Sequence, residues 1–399
     1  MQKVLIRNLG PIKNAEISLK PFVVFIGRSG SGKSVVMRTI SMLKWVYKKM
    51  QYKAFLKNSK IKNNAIRFNL TRLKKDSMLD DFIKPDTYIE FFDNDISMIK
   101  IENLKIKPNY KSITSKNFIN SKIVFLNDSR VALPEILSSA GGRKAKFSYY
   151  TSDIIDNFYQ ATDYSDTNGF KISTLNIDLL ARKKDGYKQF FIKKNNDIVK
   201  FDSSSSGEKN VSIIELIANF YAKDYDFSES FTKNLIELIT NNIDIKNIEN
   251  IKNHMKKSSF LNSLDIFIEE PEANLFPIDQ KNIAYFLSSL GECRNKPNVI
   301  FSTHSPYILT ALNNLIYAKN TIKEKPDLKN EICKIIDENS LLDFKNLAVY
   351  YLDNGDIYDI LDYETNLINA EQIDKASNII LDDFDEIFNI QNASKCEHI

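Results

Sequence analysis

The sequence predicts an α/β fold built on a strand, a glycine loop and a helix, joined to further apolar strands that end in polar residues. Three observations carry this expectation. Pro21-Phe22-Val23-Val24-Phe25-Ile26 is a continuous apolar run, as expected of a strand buried on both faces. Gly27, Gly30 and Gly32 cluster directly after it, in a chain with only 11 glycines among 399 residues. Glycine this scarce is placed where the backbone needs it. Val35 to Met50 then carries apolar residues at helical spacing.

The remaining elements follow in order. Lys3 to Asn8 reads as a short strand, with a turn at Gly10-Pro11. Lys53 to Lys75 is basic, and a lysine-rich run is most often a solvated face. Thr87 to Ile101 reads as a hairpin around Asp93-Asn94-Asp95, and Ile123 to Leu126 as an apolar strand. Ser152 to Thr162 looks helical, and a second hairpin is expected around Asn195-Asn196. A helix opens after Ser203-Ser204-Ser205-Ser206-Gly207-Glu208 and runs through Val211 to Tyr221; Asp226 to Lys257 is polar and mostly helical in pattern. Strands are expected at Leu264 to Ile268 and Asn298 to Phe301, with a helix at Ile278 to Leu290 between them. Leu347 to Leu352 and Asp356 to Ile360 suggest a last hairpin before an acidic helical tail over 366–399. The expected organisation is a core of 1–50 and 200–365, with 51–199 as an inserted α+β lid or helical region.

Composition removes several function classes. Hydrophobic residues make up 43% and charged residues 27%, which excludes wholesale disorder. The 55 basic and 51 acidic residues leave a net charge of +4, too small an excess to announce a nucleic-acid binder. Cys293, Cys333 and Cys396 are too far apart for a disulfide scaffold or a zinc ribbon and fit a reducing cytoplasm. No apolar run approaches the ~18 residues of a membrane span. Met1 to Arg7 lacks a signal-peptide pattern. The expected location is cytoplasmic, with no membrane partner.

The motifs carry the chemistry. Gly27-Arg28-Ser29-Gly30-Ser31-Gly32-Lys33-Ser34 fits G-x-x-x-x-G-K-[ST]. Backbone N–H groups of such a loop point at phosphate oxygens, and the following helix presents its positive end. Lys33 is expected on the β/γ-phosphates and the Ser34 hydroxyl on Mg²⁺. Ile266-Phe267-Ile268 leads into Glu269-Glu270. Alone this is an ordinary acidic strand end; beside a phosphate loop it marks a nucleotide site. Consecutive strand residues face opposite ways, so Glu269 is assigned to the metal and Glu270 to the attacking water. His304, one of three histidines with His254 and His398, follows a strand and is placed to meet the γ-phosphate or hold the water. Ser205, Ser206, Gly207 and Glu208 read either as a second anion site at a helix start or as a plain capping box.

The order of these motifs resembles that of ABC-type ATPases. Ser205-Ser206-Gly207-Glu208 is similar to the ABC signature, and Ile268-Glu269-Glu270-Pro271-Glu272-Ala273-Asn274-Leu275-Phe276-Pro277 to an E-E-P-E-x-x-L-H-P form of Walker B. Ser302-Thr303-His304-Ser305-Pro306 resembles a T-H-S-P switch loop, and Asn8-Leu9-Gly10-Pro11-Ile12 the family's N-terminus. Together they resemble stand-alone bacterial ABC/AAA-type ATPases allied to SMC and RecF proteins, and among these the ATPase subunits of the Septu, retron-linked Septu and PARIS anti-phage systems. The resemblance covers about 1–50 and 200–365. It implies a P-loop NTPase with an ABC-head-type mixed sheet, using ATP and Mg²⁺. It also implies a head-to-tail homodimer, in which the Walker motifs of one subunit face the Ser205–Gly207 helix start of the other. Arg130 resembles an arginine this family places near the nucleotide. The chain departs from the family at Arg28-Ser29, where Pro-Asn is usual, at Glu269, where Asp is commoner, and at Ser206, where transporters have glycine. Asn274 and Phe276 replace a frequent histidine, and a Q-loop glutamine has no clear position.

The implied function is a nucleotide-driven dimer switch that hydrolyses ATP, with the departures pointing to slow turnover, and controls a partner effector, a nuclease, in anti-phage defence. An SMC/RecF-like DNA-repair ATPase is the alternative, with basic stretches able to meet DNA; Ser34 to Ser204 carries no sustained heptad for a long coiled coil. A transporter nucleotide-binding subunit fits less well with the Glu-Glu-Pro-Glu form.

Overall fold

The computed structural model of the chain describes residues 1–58, 66–113, 118–138, 147–164, 169–184, 187–239, 260–369, 382–383 and 385–387. The first third runs β1 (Gln2–Leu9), β2 (Ile12–Leu19), β3 (Phe22–Gly27), α1 (Lys33–Asn58), α2 (Leu70–Asp76), β4 (Ile83–Asp93), β5 (Ile96–Glu102), β6 (Lys105–Pro108) and β7 (Phe118–Leu126). The middle holds α3 (Leu133–Ser138), α4 (Tyr149–Tyr164), β8 (Phe170–Ile172), β9 (Ile177–Lys184), β10 (Tyr187–Lys194), β11 (Asp197–Lys200), α5 (Ser206–Asn219) and α6 (Phe227–Ile239). The last part is β12 (Phe260–Glu269), α7 (Pro277–Ser289), β13 (Asn298–Thr303), α8 (Pro306–Glu324), α9 (Lys329–Ile332), β14 (Leu347–Asp353), β15 (Asp356–Asp359), β16 (Leu361–Asp362) and β17 (Leu367–Ile368).

The fold is α/β with a large mixed sheet. Eleven strands lie in the order β6-β5-β4-β1-β2-β15-β14-β3-β13-β12-β7. From β14 to β7 the neighbours are parallel; from β6 to β2 they are antiparallel. The parallel strands are apolar on both faces because both faces are covered. Phe22, Val24 and Ile26 of β3 enter one core, and Val23 and Phe25 enter the other. The first core is filled from α4, α5, α7 and α8. The second holds α1, wrapped between the parallel strands and the antiparallel wing, with Val36, Met37, Ile40, Leu43 and Val46 fully enclosed.

The expected hairpins form. β4 and β5 pair across Asn94 and Asp95, both left-handed at φ 46° and 62°. β10 and β11 pair across Asn195-Asn196, and β14 and β15 across Asn354-Gly355. The insertion expected at 51–199 does not coincide with a layer boundary. β4, β5 and β6 extend the antiparallel wing, and β7 closes the parallel side of the same sheet. Only β8–β11 stand apart, as a four-stranded sheet. The parallel contact of β7 with β12 runs over nine residue pairs, an association across more than a hundred residues that local pattern does not show. Helix α6 covers the start of the expected 226–257 helical stretch; 240–257 lie outside the described residues. So does most of the expected tail, whose start forms β17 instead of helix.

Candidate functional site

The site forms where β3, β12 and β13 end. Strand β3 delivers the glycine loop, and Val36 N donates to Gly32 O at 2.9 Å as α1 begins. Gly27, Gly30 and Gly32 have φ values of 153°, 80° and 102°. A Cβ on Gly27 would lie 2.5 Å from Leu352 O, and one on Gly32 would lie 2.6 Å from Ile12 Cδ1. Both the dihedral and the space therefore require glycine. Arg28 and Ser29 sit at the exposed tip of the loop, and Ser34 is half-buried in the first turn of α1. Lys33 is buried and folds back on the loop, its Nζ donating to Gly27 O at 2.8 Å and Arg28 O at 3.0 Å. Burial pushes its ammonium below the usual lysine range, and the charges of Glu270 and Glu272 oppose that shift.

Strand β12 turns sharply at its end. Glu270 is left-handed at φ 46°, an uncommon backbone for a residue with a long side chain. Its N–H donates to Ser302 O at 3.0 Å, which ties the turn to β13. Its carboxylate meets His304 Nε2 at 3.1 Å. The hydrogen bond from His304 holds the Glu270 carboxyl below the ordinary carboxylate range; burial opposes this, and the charges of His304, Lys33 and Arg130 add to it. Glu269 points to the other face, as strand alternation requires. It is buried beside Arg38 of α1, with Arg38 Nε 3.4 Å from its Oε1.

Glu272 is a third carboxylate here. One oxygen accepts from Thr303 Oγ1 at 2.6 Å and from His304 N at 2.8 Å. Burial pushes this carboxyl above the usual range. Ser305 caps α8, accepting from Tyr307 N and Ile308 N, and its hydroxyl donates to Gln280 of α7. The segments bearing the acids and the histidine are thus laced together by side chain to backbone bonds.

Arg130 lies buried behind the paired acids. It is 1% exposed. Its guanidinium donates to Leu126 O, Asn127 O, Glu269 O and Glu270 O and to Asn210 Oδ1, at 2.6–3.2 Å. Five fixed donors suit a cluster of backbone carbonyls. Arg130 therefore braces the ends of β7 and β12, and its donors are spent on the protein. Asn210 of α5 continues the brace, its Nδ2 donating to Pro271 O and Ala273 O.

Ser205, Ser206 and Glu208 make the helix start of α5. Ser205 Oγ accepts from Glu208 N, and Glu208 Oε2 accepts from Ser205 N, so the capping box forms. Gly207 is the point of closest approach: a Cβ there would lie 2.6 Å from Asn274 O. Ser205 and Ser206 remain exposed. Among the described residues, no hydrogen bond or ion pair joins this helix start to the glycine loop of its own chain.

The structure thus brings Gly27–Ser34, Glu269, Glu270 and His304 to one edge of the sheet, with Ser205–Glu208 joined to the segment after Glu270 through Gly207. Sequence reasoning missed Arg38, Glu272, Gln280 and Asn210 as parts of the site. The third acid of Glu-Glu-Pro-Glu was a usable signal for Glu272; nothing local pointed to the others. A magnesium-bound triphosphate fits the groups present. The glycine cradle is open, and Ser31 Oγ and Glu269 Oε1 are buried without a hydrogen-bond partner. Among the described residues, no three His, Cys, Asp or Glu side chains cluster as a metal site by themselves, so phosphate oxygens would complete the coordination of an ion held by Ser34 and Glu269.

No protein-family profile matches the chain, and no curated protein matches it. Among solved structures, it is similar to the SMC head domain from Thermotoga maritima, at 13% identity, over 90% of this chain and 97% of that one, with a TM-score of 0.36. It is similar to a Smc head domain with an extended coiled coil bound to the C-terminal domain of ScpA from Pyrococcus furiosus, at 8% identity over 95% and 100%, with a TM-score of 0.38. It is also similar to an ATP-binding cassette of an ABC transporter in its ADP conformation, at 12% identity over 90% of each chain, with a TM-score of 0.32. Likeness this distant says nothing of activity.

Proposed function

We propose that this chain is an ABC-type ATPase that binds ATP with Mg²⁺ at the glycine loop and hydrolyses it. The observation that carries the reading is the meeting of Glu270 and His304 at 3.1 Å, on a left-handed turn whose carboxylate also feels the charge of Lys33. Residues from three distant stretches of sequence converge there. Lys33 and the loop N–H groups hold phosphate oxygens; Ser34 and Glu269 hold the cation, which neutralises phosphate charge. Glu270, kept ionised by His304, takes a proton from water. His304 orients that carboxylate, and its own loop is fixed by Glu272.

The capped, exposed start of α5 supports the dimer part of the reading. Among the described residues no bond joins Ser205–Glu208 to the loop of their own chain, and a second copy placed head-to-tail would bring them to one. ATP then closes the dimer and hydrolysis loosens it. Control of a nuclease effector in anti-phage defence rests on the sequence resemblance alone.

Glu270→Gln tests the assignment. Its hydrolysis rate should fall by about 10²–10⁴-fold with ATP binding retained, and light scattering should show a dimer trapped by ATP. Hydrolysis at the parent rate overturns the role of Glu270; an ATP-bound monomer overturns the dimer. Pull-down of the trapped form, followed by mass spectrometry, should recover a nuclease; recovery of the chain alone removes the effector proposal.

A further inference from the structure

A cavity of about 140 Å³ opens between α1, α2, α4 and β7. Ser41, Trp45 and Lys48 reach it from one stripe of α1, at i, i+4 and i+7. The other walls include Phe125 of β7 and Tyr149 and Tyr150 of α4. The Phe125 and Tyr150 rings lie 4.6 Å apart, and Tyr149 meets Tyr150 edge-on at 5.8 Å. A cavity of ~150 Å³ lined by apolar side chains admits a benzene-sized guest. This one is large enough for a six-membered ring and has aromatic faces to receive it.

Its charged groups are not equivalent. Lys122 is engaged, with Nζ 2.9 Å from Asn157 Oδ1 and 4.6 Å over the Tyr221 ring. Two carboxylates also line it: Asp153 accepts from Asn157 Nδ2 at 2.9 Å, and Asp76 from Arg72 Nε at 3.4 Å. Lys48 has, among the described residues, no hydrogen-bond acceptor; it lies 5.8 Å over the Tyr52 ring and feels the Asp153 charge across the cavity. Burial, with the charges of Lys122 and Lys49 beside it, pushes the Lys48 ammonium down to about 7. An anion at Lys48 would relieve that cost, as a charge-assisted bond in a sheltered site does.

We propose that this cavity binds a single aromatic ring bearing one acidic group, carboxylate or phosphate, with the ring against Trp45, Tyr149 and Tyr150 and the acid on Lys48. The proposal does not depend on the nucleotide reading, and either can fail alone.

Trp45 is the only tryptophan in the chain, so 5-fluorotryptophan gives one fluorine resonance at the cavity wall. The full chain is titrated with benzoate and with phenyl phosphate, which separate the two acids. Cyclohexanecarboxylate and benzyl alcohol remove the aromatic ring and the charge in turn. Benzoate or phenyl phosphate should shift the resonance saturably, and both controls should bind at least about tenfold more weakly. Lys48→Met should weaken binding by about tenfold or more while leaving the free resonance sharp. Absence of a saturable shift with either acid overturns the proposal. So does equal binding by either control, or parent affinity in Lys48→Met.

Discussion

Two ion pairs join α1 to β12, one near each end of the contact, and they differ. At one end Lys44 Nζ lies 2.9 Å from Asp265 Oδ1, with side-chain exposures of 7% and 0%. Asn298 Nδ2 donates to the same oxygen at 2.8 Å. At the other end Arg38 Nε stands 3.4 Å from Glu269 Oε1 with neither atom hydrogen-bonded, and Arg38 Nη2 donates to Glu269 Oε2 at 3.5 Å. The same helix and strand thus carry a tight pair, with one Asp265 oxygen doubly bonded and the other unpartnered, and a looser pair beside the phosphate loop. A buried pair held by one long hydrogen bond recovers little of its desolvation cost. The loose pair leaves an acceptor oxygen available to a cation, and the tight pair fixes the register from which that oxygen is presented.

Breaking the tight end should cost most. Asp265→Ala leaves the Lys44 ammonium buried without its partner and should destabilise the fold by about 3–5 kcal/mol, read from denaturant midpoints. A loss below about 1 kcal/mol would erase the contrast between the ends. Next is Arg130→Lys. A lysine offers three donors where the structure uses five bonds, so a loss of about 2–3 kcal/mol is expected in the same measurement. Arg38→Met should cost only about 1 kcal/mol, because the one hydrogen bond lost, Arg38 Nη2 to Glu269 Oε2, is long at 3.5 Å. By freeing Glu269, it should also shift the Mg²⁺ dependence of ATP hydrolysis to lower concentration; an unchanged midpoint would mean that the loose pair holds nothing back.

The smallest effect concerns pH. Burial raises the Glu272 carboxyl above its ordinary value of 4.5. The folded state then binds more protons than the unfolded one across that window, so stability falls as pH rises from about 4.5 to the raised folded value. Glu272→Gln cannot ionise. Its melting temperature relative to the parent should rise with pH through that window and level off above it; a flat difference would show that Glu272 has no raised affinity for its proton.

What was legible in the sequence was what the backbone itself demands. Gly27 and Gly32 announce dihedrals that other residues resist, and the continuous apolar run Phe22 to Ile26 announces a strand covered on two sides. Asn94 and Asn195 mark left-handed turns for the same local reason. Glu269, Glu270 and His304 were legible because each ends an apolar strand. Arg38 and Asn210 were not, since an arginine or asparagine on a helix looks like any solvated side chain until distant groups converge on it; Arg130 came only from the family resemblance. Division of the chain at residue 51 misled for a related reason: β4–β7 join the main sheet through pairings that no neighbouring residues encode.

The Arg130–Asn210 pair has a mechanical consequence. One guanidinium and one amide connect the open beginning of α5 to the peptide groups of Glu269, Glu270, Pro271 and Ala273. Gly207, pressed on Asn274 O, removes the remaining slack on that side. Load applied at Ser205 or Ser206 is therefore transmitted as a shift of the left-handed Glu270 peptide, and torque at that peptide returns to the helix by the same stiff route.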